Sequence, residues 1–172
     1  MNIYLVGFMA TGKTSVGKEL AKKLEWKFID LDELIEFDEK MPIRDIFSKK
    51  GEPYFRKAEK RALKTLAKEK KFVVGCGGGI VIDKDNIKLI KDTGKMICLS
   101  ARPEIILKRS AGFSHRPLLN VPNPKKQIAH LLKLRAPYYA CADKAIDTSK
   151  LSIKQVVGKI QKLVTRKTRN DK

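Results

Sequence analysis

Gly7-Phe8-Met9-Ala10-Thr11-Gly12-Lys13-Thr14 decides how the rest of this sequence is read. Its spacing is GxxxxGK[ST]. Glycines let backbone N–H groups turn inward around a chain of phosphates, and a following helix adds partial positive charge from its N-terminus. In such a loop the lysine, Lys13, reaches the β- and γ-phosphates of a nucleotide, and the hydroxyl of Thr14 ligates Mg2+. The mechanism also demands a strand before the loop and a helix after it. Ile3 to Val6 is a short apolar run that ends at Gly7, as in a buried strand. From Lys13 to Leu24, residues Val16, Leu20, Ala21 and Leu24 recur at helical spacing with lysines opposite. Residues Ala10, Thr11, Gly12, Lys13, Thr14 and Ser15 are therefore expected around the nucleotide phosphates.

Outward from the loop, strand and helix signals alternate. Trp26 to Ile29 reads as a second strand and Asp32 to Phe37 as a short helix. Pro42 opens another helix, which runs through Ile46 and Phe47 to a stop at Gly51. A longer helix from about Glu52 to Lys68 carries the stripe Phe55, Ala58, Ala62, Leu66, with Pro53 in its first turn. Phe72-Val73-Val74 is a third strand, cut short by Gly75-Cys76-Gly77-Gly78-Gly79. Asp85 to Lys91 reads as helix, Met96 to Leu99 as a fourth strand, and Pro103 to Arg109 as helix. Residues 110–123 show little periodicity and contain Gly112, Pro117 and Pro122, which marks a lid candidate. A helix from Pro124 to about Tyr138, a fifth strand from Ala142 to Ile146, and a helix from a Ser152 cap through Val164 follow. The alternation predicts an α/β fold with a parallel sheet. One domain over residues 1–172 is expected, with a frayed basic tail over 165–172.

The length of 172 residues suits one domain with a sizeable core. No stretch approaches the roughly 18 apolar residues of a membrane span, and the N-terminus has no basic leader. Cys76, Cys98 and Cys141 lie far apart without zinc spacing, and read as reduced, mostly buried thiols of a cytoplasmic protein. The net charge of +19 is the oddest bulk feature. Its lysines are spread over every helix without interleaved aromatic residues, so a solvated basic surface is favoured over a specific nucleic-acid site.

Five further segments carry chemistry. Asp30-Leu31-Asp32 ends the second strand, and strand C-terminal ends border the ligand crevice of an open parallel sheet. One carboxylate can face the metal and the other a hydroxyl substrate; equally, such residues can merely cap the next helix. Arg56 and Glu59 are three apart and share a helix face, which alone could be a surface ion pair. Gly77-Gly78-Gly79 offers bare backbone for close ligand approach. Arg109 and Arg116-Pro117-Leu118-Leu119 place cations in and before the lid. Arg135-Ala136-Pro137-Tyr138-Tyr139 adds another. Phosphoryl transfer needs such cations around a spreading negative charge.

Taken in order, GFMATGKT, FIDLD, FRKAE, GGG, RPLL and RAPYY resemble shikimate kinase, of the nucleoside-monophosphate-kinase-like group of phosphate-binding-loop proteins. The resemblance runs from residue 1 to about residue 165. It implies a three-layer sandwich with a five-stranded parallel sheet of order 2-3-1-4-5, and a mobile lid. It implies transfer of the γ-phosphoryl group of ATP to the 3-hydroxyl of shikimate with Mg2+, in aromatic amino-acid biosynthesis. The acceptor region would span about residues 32–61. Lys13 and Thr14 would hold phosphates and Mg2+, with Asp30 orienting metal-bound water. Asp32 would accept from the ring hydroxyls as the candidate base. Arg56, held by Glu59, and Arg135 would clamp the shikimate carboxylate, for which planar guanidinium groups are suited. Gly78 and Gly79 would line the acceptor pocket. Arg116 would reach the ATP phosphates as a catalytic cation beside Lys13, and Arg109 would pack near adenine.

Ala10-Thr11 stands where Gly-Ser is more usual, which is tolerable because neither position must supply a side chain. Thr148-Ser149-Lys150-Leu151, expected beside adenine, has no arginine. His115 has no assigned role, and His130 is expected on a helix surface. No specific nucleic-acid or membrane partner is expected, and a monomer is. Two other readings stay open at this point: a related kinase for another acidic acceptor, such as gluconate, and a non-catalytic, RNA-binding relative.

Overall fold

A computed structural model describes residues 1–111 and 121–165. Strand β1 (Asn2–Val6) is buried along its whole length, as befits the middle of a parallel sheet covered on both faces. It pairs in parallel with β3 (Phe72–Gly75) on one side and β4 (Gly94–Ser100) on the other. β2 (Lys27–Asp30) and β5 (Lys144–Asp147) extend the sheet outward, giving the order β2-β3-β1-β4-β5. That is the expected fold class and strand order.

Side chains alternate across β1. Ile3 and Leu5 pack with Val16 and Leu20 of α1 (Lys13–Leu24) and with Val156, Val157 and Ile160 of α8 (Ile153–Thr165). Tyr4 and Val6 face the opposite layer, built from α2 (Leu31–Glu39), α3 (Ile43–Lys50), α4 (Glu52–Ala67) and α5 (Lys84–Thr93). A smaller cluster of Phe8, Ala101, Ile106 and Ile128 joins the phosphate-binding loop to α6 (Pro103–Ser110) and α7 (Pro124–Tyr139).

Several boundaries differ from the sequence reading by one or two residues, some for a clear local reason. The last strand begins at Lys144 rather than Ala142, because the Cys141 and Ala142 amides still donate to the Tyr138 and Tyr139 carbonyls of a turn that continues α7. α5 starts one residue early because the Asp83 side chain accepts from the Asp85 amide at 2.8 Å and caps it. A single 3-10 turn over Ile80–Ile82 follows the glycine run. The predicted lid mostly lies outside the described residues. Its first residue, Ser110, belongs to α6, where its hydroxyl donates to the Ile106 carbonyl.

Candidate active site

The loops that follow β1, β3 and β2 meet at the C-terminal edge of the sheet. In the first, Gly7 has φ 138°, and a Cβ there would run into the Leu99 carbonyl oxygen, so glycine is required on two counts. Lys13 Nζ lies back along the loop, donating to the carbonyls of Gly7 (2.9 Å) and Phe8 (2.8 Å). Gly12 precedes α1 without a side-chain cap, and the first turn holds no acidic residue. The positive end of α1 is thus directed at the loop, where anions bind well.

Thr11 corrects one expectation. It does supply a side chain: its buried hydroxyl donates to the Phe8 carbonyl at 2.8 Å. Ala10 sits at φ 57°, in the left-handed region where an L side chain is strained and glycine is not.

Asp30 caps the next helix and also bonds a residue of the phosphate-binding loop. Its Oδ1 accepts from the Asp32 amide at 3.0 Å, capping α2, while Oδ2 accepts from the Thr14 hydroxyl at 3.1 Å. A hydroxyl and a carboxylate side by side are hard oxygen donors and suit Mg2+. Among the described residues no group of three or more His, Cys, Asp or Glu is placed to hold a metal ion. An ion here would take most of its ligands from phosphates and water, as Mg2+ commonly does.

The glycine run is where dispersed side chains converge. A Cβ on Gly77 would lie 2.9 Å from Asp32 Oδ1 and 3.2 Å from Glu59 Oε1. One on Gly78 would lie 3.1 Å from Arg135 Nη1, and one on Gly79 only 2.5–2.8 Å from the Arg56 guanidinium. Two guanidinium groups and two carboxylates thus press on three successive residues.

Asp32 stands in the first turn of α2. Its Oδ1 is buried with no hydrogen-bond partner among the described residues. Burial above all, then the neighbouring Asp30 charge, raises its carboxyl to about 6, with Lys13 and Arg56 opposing. Arg56 bonds Glu59 Oε2 through Nη1 at 2.9 Å and Glu52 through Nη2 at 3.2 Å. Glu59 is only 1% exposed, so this is no surface pair. Burial pushes its carboxyl up and Arg56 holds it down. Arg135 lies over the Phe8 ring, 5.6 Å from its centroid, and Tyr139 one turn later donates to the Gly78 carbonyl at 2.9 Å.

Arg109 grips two backbones. It donates to Thr148 Oγ1 and the Thr148 carbonyl, both at 2.9 Å, and to the Ala10 carbonyl at 3.4 Å. Thr148, buried, donates to the Thr11 carbonyl at 3.0 Å. Arg116 and His115 lie outside the described residues, as does most of the basic tail. His130 is exposed.

The family model for shikimate kinase matches residues 9–165. The chain belongs to the shikimate kinase family. A shikimate kinase of Thermoanaerobacter pseudethanolicus is 47% identical over 96% of both chains. One of Thermodesulfovibrio yellowstonii is 46% identical over 94% of this chain and 93% of that one. Among solved structures, shikimate kinase from Acinetobacter baumannii in complex with shikimate superimposes with TM-score 0.90 at 37% identity, covering 96% of this chain and 93% of that one. The Aquifex aeolicus enzyme gives 0.81 at 32%, with full coverage of both.

Within this shikimate kinase frame, sequence reasoning singled out the segments that hold Thr148, Tyr139 and Gly77 but gave these residues no individual role. Tyr139 was within reach: it is four residues after Arg135, so both share a helix face. Thr148 was expected beside adenine only through the resemblance; its bond to the Thr11 carbonyl carried no signal in the sequence. Cys76 and Cys98 are buried and all three thiols are free. Burial drives the Cys76 thiol far above its ordinary range and Cys98 to about 11, so neither is a nucleophile. Among the described residues no helix is long and apolar enough to cross a membrane.

Proposed function

We propose that this chain phosphorylates the 3-hydroxyl of shikimate with ATP, using Mg2+, to give shikimate 3-phosphate and ADP. The observation that carries the reading is the convergence of Asp32, Arg56 and Arg135 on one glycine run, beside the phosphate-binding loop. A carboxylate on the acceptor meets Arg56 and Arg135 in a planar, two-pronged way. That contact turns a ring hydroxyl toward Asp32. The acceptor oxygen bonds to the γ-phosphorus, the bond from that phosphorus to the β-bridging oxygen breaks, and Asp32 takes the hydroxyl proton. A carboxyl raised to about 6 is largely ionised at neutral pH, yet basic enough to accept. Lys13 leaves the Gly7 and Phe8 carbonyls for the phosphates, and Arg116 adds a second cation there. Mg2+, when bound, neutralises phosphate charge; Thr14 would ligate it and Asp30 would orient its water. Arg109, through Ala10 and Thr148, shapes the adenine side.

The proposal includes a single domain with a lid over residues 110–123 that excludes water from the transfer, and a cytoplasmic monomer. A coupled assay of ADP release with shikimate, and separately with gluconate, tests the reading. Turnover with shikimate is expected. Turnover with gluconate alone overturns it.

A further inference from the structure

Asp32 and Arg56 ride on different helices, α2 and α4, and the acceptor must touch both. A cluster of charged and hydroxyl side chains joins those helices on the side away from the site. Glu39 is the last residue of α2, and its carboxylate gathers three donors. Tyr54 donates its hydroxyl to Oε2 at 2.7 Å, and Lys50, the last residue of α3, donates to the same oxygen at 3.1 Å. Arg61 donates to Oε1 at 2.7 Å. The Lys50 ammonium also sits 4.3 Å from the Tyr54 ring centroid, and the Arg61 guanidinium 6.0 Å. Tyr54 and Arg61 are seven apart, on one face of α4, while Arg56 and Glu59 occupy the face toward the site.

This cluster differs from ordinary surface pairs. α2 has no basic residue in its last turn and ends on a carboxylate, which is unfavourable at the negative end of a helix. Lys40 at the C-cap adds one local cation, but the cations that bond the Glu39 carboxylate come from α3 and α4, so that contact exists only when the three helices are assembled. The Glu39 side chain is 10% exposed. The Tyr54 hydroxyl, followed by Lys50, holds its carboxyl below the usual range. A second tie runs the same way, from Glu36 Oε1 to the Ile43 amide at the start of α3, at 2.8 Å.

We propose that Glu39, Lys50, Tyr54 and Arg61 form a clasp that sets the spacing between Asp32 and Arg56, and hence the affinity for the acceptor. Glu39 and Tyr54 are its positioning residues; neither touches the reacting groups. The proposal rests on the acceptor reading above.

The test is steady-state kinetics of Glu39→Gln and Tyr54→Phe beside Arg44→Gln, which removes only an exposed pair with Asp45 on α3. KM for shikimate should rise on the order of fivefold in Glu39→Gln and about twofold in Tyr54→Phe. KM for ATP should stay within about twofold of the parent in all three, and any loss of kcat in Glu39→Gln should be smaller than the rise in KM for shikimate, as expected when acceptor binding is loosened more than the chemistry. An unchanged KM for shikimate in Glu39→Gln, or equal rises for both substrates, overturns the clasp. If the parent protein does not phosphorylate shikimate, the acceptor reading has failed, and hydrogen exchange decides the clasp by itself. Faster exchange of α2 and α3 amides in Glu39→Gln than in Arg44→Gln supports it; equal rates overturn it.

Discussion

The two halves of the site are built in opposite ways. The nucleotide half is centred on one stretch, Gly7 to Ser15, whose parts hold each other, with Arg109 and Thr148 added from outside: Lys13 rests on the carbonyls of Gly7 and Phe8, and Thr11 on Phe8. The acceptor half has no such stretch. Asp32 comes from α2, Arg56 from α4, Arg135 from α7, and the three glycines from the loop after β3. A contiguous half needs only a strand, a turn and a helix to be correct. A dispersed half exists only when the sheet and its outer helices are all in register. Damage to the first should therefore appear in ATP binding, and damage to the second in acceptor binding and turnover.

The largest break is expected from Asp32→Asn. Turnover should fall by at least about a hundredfold as proton acceptance and orientation are lost, with ATP affinity nearly intact because Lys13 and Thr14 are untouched. Near-normal turnover would remove Asp32 from the mechanism. The same variant should be more stable at neutral pH. Burial raises the Asp32 carboxyl from 3.8 to about 6, so the folded state favours the protonated form and ionisation works against folding. The gain should be on the order of 1–3 kcal/mol above pH 6. It should shrink as pH falls from about 6 and vanish below 3.8, as melts across that range would show. Over the same range the parent's turnover should decline as Asp32 takes up its proton.

Next comes Gly79→Ala. Its Cβ cannot coexist with the Arg56 guanidinium at 2.5–2.8 Å, and moving that group strands the buried Glu59. KM for shikimate should rise on the order of thirtyfold, without a matching change for ATP. Arg56→Lys should be milder, on the order of tenfold, because an ammonium keeps the charge and loses the two-pronged contact. If ATP affinity alone moved in either variant, the division into two halves would be wrong. The smallest effect is expected in the nucleotide half. Ala10→Gly relieves an L residue at φ 57° but adds unfolded-chain entropy, so denaturant melts should show a gain of about 0.5–1 kcal/mol or less.

The same contrast explains what could be read in the sequence. Strand and helix positions came through because apolar spacing is local, and the phosphate-binding loop because its residues are adjacent. Strand order and the acceptor groups came only through resemblance, since nothing in the spacing of residues 32, 56, 78 and 135 says that they meet. Asp30 was legible only as a choice between a cap and a metal-side carboxylate; one oxygen makes the cap, and the other is left to accept from the Thr14 hydroxyl. Glu59 was visible as a partner for Arg56, but its burial was not, because that depends on Gly77 bringing the β3 loop against α4. Thr148 reaches the Thr11 carbonyl across 137 residues and announces itself by no motif.

For anyone wishing to retrain this catalyst on a different acceptor, Gly77 to Gly79 is the wrong place to randomise codons. Each position is hemmed in by a different charged neighbour: Asp32 and Glu59 at the first, Arg135 at the second, Arg56 at the third. A saturation library across the triplet would be weighted toward its parent, for a separate reason at each position. Diversity belongs instead on the outer grip of α2, α3 and α4, where the width of the pocket can be tuned without replacing anything that lines it.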